Sequence, residues 1–344
     1  MASLRSSLPW TKLPLIINAP MANFAGGDLA AAVTGAGGLG TIGTMFDMDV
    51  LKANLNTASK LLQRGNIPRF NGTLPVGVSF LTFASKLGPA TPVIEEFKPA
   101  VVWLFGAIEL DDYVVWAKAV REVSPASKIW IQCGSVASAL HIAKSSALDV
   151  LVVQGADAGG HGYEKSAGII SLLPEAADAL AKAGFGHIPL VAAGGIADGR
   201  GVAAAQALGA KGIVMGTRFL AARETTVPPN YQTAVLKATD GSQSTVRAKV
   251  FDELKGPNVW PAVYDGRSIV TESYTDHVKG VGIEEIRKLH AEAVKKEDGG
   301  YGEKARAAIW AGTGVGLVTE VMDAADIIEQ VRSQAQKICK EFSS

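Results

Sequence analysis

One histidine set among glycines is the most chemically loaded feature of this sequence: Gln154-Gly-Ala-Asp-Ala-Gly159-Gly-His161-Gly162. A histidine titrates near neutral pH, so it can take or hold a proton during a reaction. The glycines around it let the backbone come close to a flat ligand. A lone histidine in a tight turn has a plainer reading, a solvent-facing residue of no consequence. The amide, carboxylate and glycines packed into the same stretch favour a site, with His161 as the catalytic candidate.

Two further glycine clusters follow, Val191-Ala-Ala-Gly194-Gly195-Ile-Ala-Asp198-Gly199 and Val214-Met-Gly216-Thr217-Arg-Phe219. Backbone N–H groups at Gly194, Gly195 and Gly216, with the Thr217 hydroxyl, suit a phosphate, and a helix N-terminus would add to them. Asp198 reads as the cap of the next helix rather than a ligand. The competing reading is that these glycines merely let helix and strand pack. Near the start, Asn18-Ala-Pro20-Met21-Ala22-Asn-Phe offers small residues beside an exposed Pro-Met pair, suited to the edge or face of an isoalloxazine ring. Ser79, Gln132 and Gln154 add polar groups of the kind a flavin ring needs where charge develops on reduction.

Other candidates resolve blandly. His141 and His290 lie in helical runs and are expected to be solvated, and Cys133 reads as a small buried hydrophobe. No grouping of His, Cys, Asp or Glu has metal-ligand spacing.

The elements that must position these residues follow a strand–helix rhythm. Apolar runs at 15–20, 39–44, 74–81, 100–106, 128–134, 149–155, 188–196 and 212–220 alternate with helical stretches at 29–37, 47–63, 92–98, 111–123, 136–147, 174–184 and 199–208. Strands apolar on both faces are what a parallel sheet covered by helices requires. The chemical residues sit at the ends of many strands rather than at one switch point, and no GxGxxG turn follows the first strand. Both facts favour a closed (β/α)8 TIM barrel over a doubly wound sheet. After the eighth strand the texture changes to Pro228-Pro229, Trp260 and a charged helical run at 283–297. This predicts a small helical insertion or lid at 224–300 on a barrel made of 1–223 and 301–344. The glycine-rich Trp310-Ala-Gly-Thr-Gly-Val-Gly316 then leads to a terminal helix at 323–340.

Composition narrows the function classes. Lys+Arg and Asp+Glu both number 33 over 344 residues, a net charge of zero that argues against nucleic-acid or anionic-membrane partners. No apolar run is long enough to span a bilayer, and residues 1–10 lack the apolar core of a secretory signal. The ending Phe342-Ser-Ser344 is not a peroxisomal address. Two cysteines, Cys133 and Cys339, make no disulfide framework, so a reducing, cytoplasmic setting is expected. Monomer and homodimer both stay open.

With these residues in view the chain resembles the nitronate monooxygenase family, formerly called 2-nitropropane dioxygenases. The resemblance runs over nearly the whole chain, through Ala19-Pro-Met21, Ala36-Gly-Gly-Leu-Gly40, Gln154 to His161, Ala193 to Gly199, Met215 to Phe219 and Ala311 to Gly316. The histidine loop is the most specific of these, since other FMN barrels share the phosphate loops. The resemblance implies a barrel with a small added domain, FMN, and oxidation of alkyl nitronates or nitroalkanes by O2 to carbonyl compound and nitrite. It further implies that His161 holds or deprotonates the substrate, and that Met21, Ala22, Gln132, Gln154, Gly159, Gly195, Gly216 and Thr217 contact FMN. Two positions depart from the family pattern: Asp157 stands where a Glu is usual, and Ser79 where many members have Asn. Two other functions fit the same residues, an NAD(P)H-dependent flavin reductase of a quinone or enoyl thioester, and a flavin-free barrel binding a phosphate ligand.

Overall fold

The computed structural model describes residues 4–44, 46–145 and 148–341. The readings made above for the extreme ends, and for the last two residues of the 136–147 helix, lie outside these. The strands are β1 (Ile16–Asn18), β2 (Thr41–Ile42), β3 (Leu74–Leu81), β4 (Pro99–Phe105), β5 (Lys128–Cys133), β6 (Val150–Gln154), β7 (Gly160–Tyr163), β8 (Leu190–Ala193), β9 (Gly212–Met215), β10 (Thr245–Ala248) and β11 (Tyr264–Ile269).

Eight of them pair in parallel in the order β1-β9-β8-β6-β5-β4-β3-β2. The ends of that order meet: the Leu39 N–H donates to Ile16 O at 3.0 Å, and Ile17 bridges Leu39. The sheet is therefore a barrel, as the sequence predicts. Alternate residues of each strand face opposite sides. In β4, Val101 and Trp103 join the cluster that fills the barrel, while Val102 and Leu104 pack beneath the helices. Both faces are buried, which is why these segments read as unbroken apolar runs. Trp103 and Trp130 fill much of the interior, with ring centroids 5.8 Å apart, and Leu8 joins the same cluster.

Two helices begin earlier than expected, at Leu87–Phe97 and Ile169–Lys182. Each carries a proline in its interior, Pro92 or Pro174, where a break would be anticipated. Burial of Ile169, Leu172 and Leu173 in the second helix, and of Ala90 in the first, holds the turn ahead of the proline.

A larger correction concerns 224–300. The segment is not purely helical: β10 and β11 pair antiparallel, and β11 pairs in turn with β7, which follows β6 directly. These strands mix polar and apolar residues without strong alternation, so periodicity alone does not reveal them. The charged helix spans Ile283–Ala293, shorter than expected.

The long helix Ala324–Glu341 lies beside the helices Gly27–Gly35 and Gly199–Ala207. It buries Ile327, Ile328, Val331 and Ala335, and also Arg332. The Arg332 guanidinium donates to Ala36 O at 3.2 Å and Gly37 O at 3.1 Å, and the Gln336 amide donates to Leu13 O at 3.2 Å. Replacing Arg332 with Ala strands two carbonyls and opens a gap. The expected cost is about 2–3 kcal/mol, read as a lower urea midpoint at unchanged slope.

Candidate active site

The C-terminal ends of the barrel strands and the small sheet enclose a cavity of about 730 Å³. All ten residues singled out in the sequence line it. Met21 and Ala22 come from the loop after β1, Gln132 ends β5, and Gln154 ends β6. Gly194 and Gly195 follow β8, Gly216 and Thr217 follow β9, and Gly159 and His161 come from the stretch after β6. Ser79, near the end of β3, is present too. Residues spread over almost two hundred positions are thus gathered at one mouth by the barrel strands and the small sheet.

The histidine is held more firmly than a loop residue would be. His161 belongs to β7 and sits opposite Gly266 of β11. A Cβ at Gly266 would fall 2.4 Å from the Trp310 ring and 3.4 Å from Nε2 of His161, so only glycine leaves room there. The imidazole lies flat against Trp260, with centroids 3.7 Å apart and planes 9° from parallel. Trp310 flanks it at 4.8 Å. Its Nε2 lies 2.6 Å from Oδ1 of Asp252, in the helix Val250–Glu253. The backbone carbonyl of His161 accepts a hydrogen bond from the Gln154 amide at 3.2 Å. Gln132 is held from the barrel interior, its Oε1 accepting the Trp103 indole N–H at 3.1 Å.

The glycine loops meet through backbone. A Cβ on Gly159 would lie 2.4 Å from Ala311 C and Gly312 N, and Gly194 and Gly195 have φ of 104° and 75°. Asp157, the shorter carboxylate, is spent within the protein: its Oδ1 accepts from the Thr313 hydroxyl at 3.0 Å, and its carbonyl from the Thr313 N–H at 3.0 Å. Arg267 braces the same loop by donating to Ala156 O at 3.2 Å, while Arg247 pairs with Asp265. Thr217 Oγ1 accepts from the Gly312 N–H at 3.0 Å, which leaves its own proton to donate.

The donors available for an anion are fewer than the sequence implies. Asp198 caps the helix Gly199–Ala207, accepting from the N–H groups of Arg200 and Gly201, and Gln334 accepts from Gly199 N–H at 2.8 Å. That helix end is therefore filled. Among the described residues, no backbone acceptor is found for the N–H groups of Gly194, Gly195, Ile196, Gly216 and Thr217. At Gly216 an added Cβ would meet nothing nearer than Ala19 Cβ at 3.4 Å, so the fold itself does not demand glycine there.

His141 is half exposed, as expected, and pairs with Asp111 at 2.7 Å. His290 departs from expectation: it is 4 % exposed and lines the cavity. The charged helix turns Ile286, His290 and Ala293 inward, a one-sided burial that its many charges obscure in the sequence. Cys133 is buried, and burial pushes its thiol up to about 12. No group of three or more His, Cys, Asp or Glu suited to a metal occurs among the described residues. Sequence reasoning missed Asp252, which carries no motif, and the tryptophan walls. The scarcity of tryptophan, six in the chain, was the available signal.

A TIM-type barrel with an antiparallel sheet over its mouth, and a stacked histidine facing glycine-opened loops, defines a small-molecule enzyme class rather than a binding scaffold. Residues 117–334 match the family model described as nitronate monooxygenase. The chain is 44% identical to nitronate monooxygenase npaC of Metarhizium robertsii, over 98% of this chain and 95% of that protein. It is 36% identical to a nitronate monooxygenase of Neurospora crassa, over 100% of this chain and 95% of the relative. Among solved structures, FabK of Thermotoga maritima superposes with a TM-score of 0.74 at 25% identity, covering 100% of this chain and 99% of that one. The chain belongs to the nitronate monooxygenase family, a family of oxidoreductases.

Burial, and secondarily Lys255, hold the His290 imidazole below its usual pKa. The unfolded chain then takes this proton more readily, so the penalty is absent well above the ordinary histidine value of about 6.5 and grows as pH falls through it. Stability should therefore decline on acidification through that range. His290→Leu should flatten this part of a urea-midpoint profile against pH.

Proposed function

We propose that the protein binds FMN without a covalent link across the barrel mouth and oxidises alkyl nitronates, with O2, to carbonyl compound and nitrite. One observation carries the reading most: a single cavity holds both main-chain donors lacking any acceptor and a histidine fixed between two indoles. The full-length likeness to relatives named nitronate monooxygenases supports the substrate class.

Gly194, Gly195, Gly216 and Thr217 would hold the phosphate, through N–H groups and the Thr217 hydroxyl. Met21 and Ala22, with the Gln132 and Gln154 amides and the Gly159 backbone, would surround the ring. The open space at Gly216 is the kind a ligand fills, and a cavity of about 730 Å³ falls within the range of cofactor pockets, roughly 300–1,000 Å³. When bound, FMN supplies the electron acceptor and the route to O2. His161 handles the substrate: as a cation it holds the anionic nitronate, and as a neutral base it takes the α-proton of a nitroalkane. Trp260 and Trp310 exclude water around it, which strengthens either interaction.

In this reading 224–300 forms the lid over a barrel of 1–223 and 301–344, and the protein works in the cytoplasm. Among the described residues no helix is long and apolar enough to cross a membrane. The names of the relatives matched over the whole chain favour this activity over the flavin-reductase reading.

His161→Asn should lower oxygen uptake with propionate 3-nitronate by about 10²–10⁴-fold while the protein stays yellow. Unchanged uptake would exclude the role given to this side chain. Gly216→Ala should leave unfolding within about 0.5 kcal/mol of the parent but weaken FMN retention about tenfold or more. Full retention on gel filtration would place the phosphate elsewhere.

A further inference from the structure

Asp252 stands 91 residues from His161 in the chain, on the segment that follows the barrel strands. Its side chain is 5 % exposed. One oxygen, Oδ1, faces His161 Nε2 at 2.6 Å, whereas Oδ2 is buried and has no partner among the described residues. Removing a carboxylate from water with half of its acceptors unmet is costly unless a nearby positive charge or strong donor offsets it. The imidazole is the group placed to do that. Stacking on Trp260 fixes the plane of the ring but not which way round it sits, since a half-turn about Cβ–Cγ keeps that plane. The bond to Asp252 selects one of the two orientations.

Of the other charged and titratable groups around β7, several are engaged elsewhere, while Lys255 and the buried His290 line the same cavity. On β10 and β11, Arg247 pairs with Asp265, and Arg267 donates to Ala156 O at 3.2 Å. Beside the Asp252 helix, Lys249 pairs with Glu164 at 2.9 Å, and the Glu253 carbonyl accepts from Arg287 at 2.8 Å. Asp252 is the anion that the imidazole contacts.

We propose that Asp252 is the positioning residue that commits Nε2 of His161 and so makes Nδ1 the nitrogen that meets the substrate. The inference rests on the reading of His161 as the group that handles the substrate's proton. A carboxylate only accepts, so Nε2 carries a proton in both charge states of the ring. Nδ1 has no hydrogen-bond partner among the described residues. In the neutral ring it holds the lone pair. With a nitroalkane, the α-proton passes to Nδ1, the C–H electron pair becomes part of the C=N bond of the nitronate, and Asp252 balances the new imidazolium. With a nitronate already formed, Nδ1–H donates to a nitronate oxygen and no bond breaks at this step.

The test reads the ring directly, in FMN-loaded protein labelled with 15N-histidine. His161 resonances are those lost in His161→Asn. In the unaltered protein the neutral ring should carry its proton on Nε2. In Asp252→Asn, with the anion removed, the neutral ring should lose its single tautomer and carry its proton on Nδ1 as well as Nε2, and kcat should fall about 10- to 100-fold with FMN retained. A native ring protonated on Nδ1 alone overturns the proposal without needing any variant. So does an Asp252→Asn protein whose His161 tautomer and turnover both match the parent. Those outcomes leave the role of His161 standing, whereas full turnover in His161→Asn removes that role and this proposal with it.

Discussion

The antiparallel ladder between β7 and β11 is the constraint on which the site depends. Its register pairs Tyr163 with Tyr264, Gly162 with Asp265, His161 with Gly266 and Gly160 with Arg267. Side chains alternate along a strand, so a slip of one residue would turn the imidazole away from the tryptophans. Bulky contacts and charge oppose such a slip. Tyr163 packs edge-on against Tyr264, with centroids 5.3 Å apart, and Arg267 of β11 donates to Ala156 O, just ahead of β7. Only glycine at 266 lets Trp310 and His161 close on that register. The small sheet is therefore what turns a flexible glycine stretch into a rigid mount.

The second half of the mouth is organised differently, by backbone meeting backbone. Gly159 and Gly312 approach where no Cβ fits, and Asp157 and Thr313 clasp the two segments on either side. These groups satisfy one another, and donors without an acceptor include those in the loops after β8 and β9. The division is economical in a physical sense. The groups that shape the loops are bonded internally, while the main-chain donors after β8 and β9 face the cavity without such partners.

The barrel was legible in the sequence because its strands are buried on both faces and its helices are rich in apolar positions. The chemical residues at strand ends were legible for a related reason. Glycines and amides interrupt apolar runs conspicuously, and those named as site residues reach the same cavity. What stayed hidden was β7, β10 and β11. β7 is built of Gly160-His-Gly-Tyr163, a poor strand by composition, formed only because β11 arrives from about a hundred residues later to pair with it. Asp252 was hidden for the same reason: an aspartate without a motif acquires meaning only from what the fold sets against it. His290 shows the converse failure, since a helix dense in charge still turns one narrow face inward.

The terminal helix has a consequence for how the molecule is made. Gln336 bonds to a residue 323 positions earlier, and Arg332 to carbonyls 296 and 295 positions earlier. Lengthening such a loop adds little to its thermodynamic penalty, about 0.6 kcal/mol for each doubling. Time is another matter, because a ribosome delivers the chain from its first residue onward. Until position 332 emerges, the carbonyls of Ala36 and Gly37 lack their guanidinium, and the apolar side of the helix Gly27–Gly35 lacks its cover. A nascent chain must carry that unfinished seam while the 295 or so positions between are made.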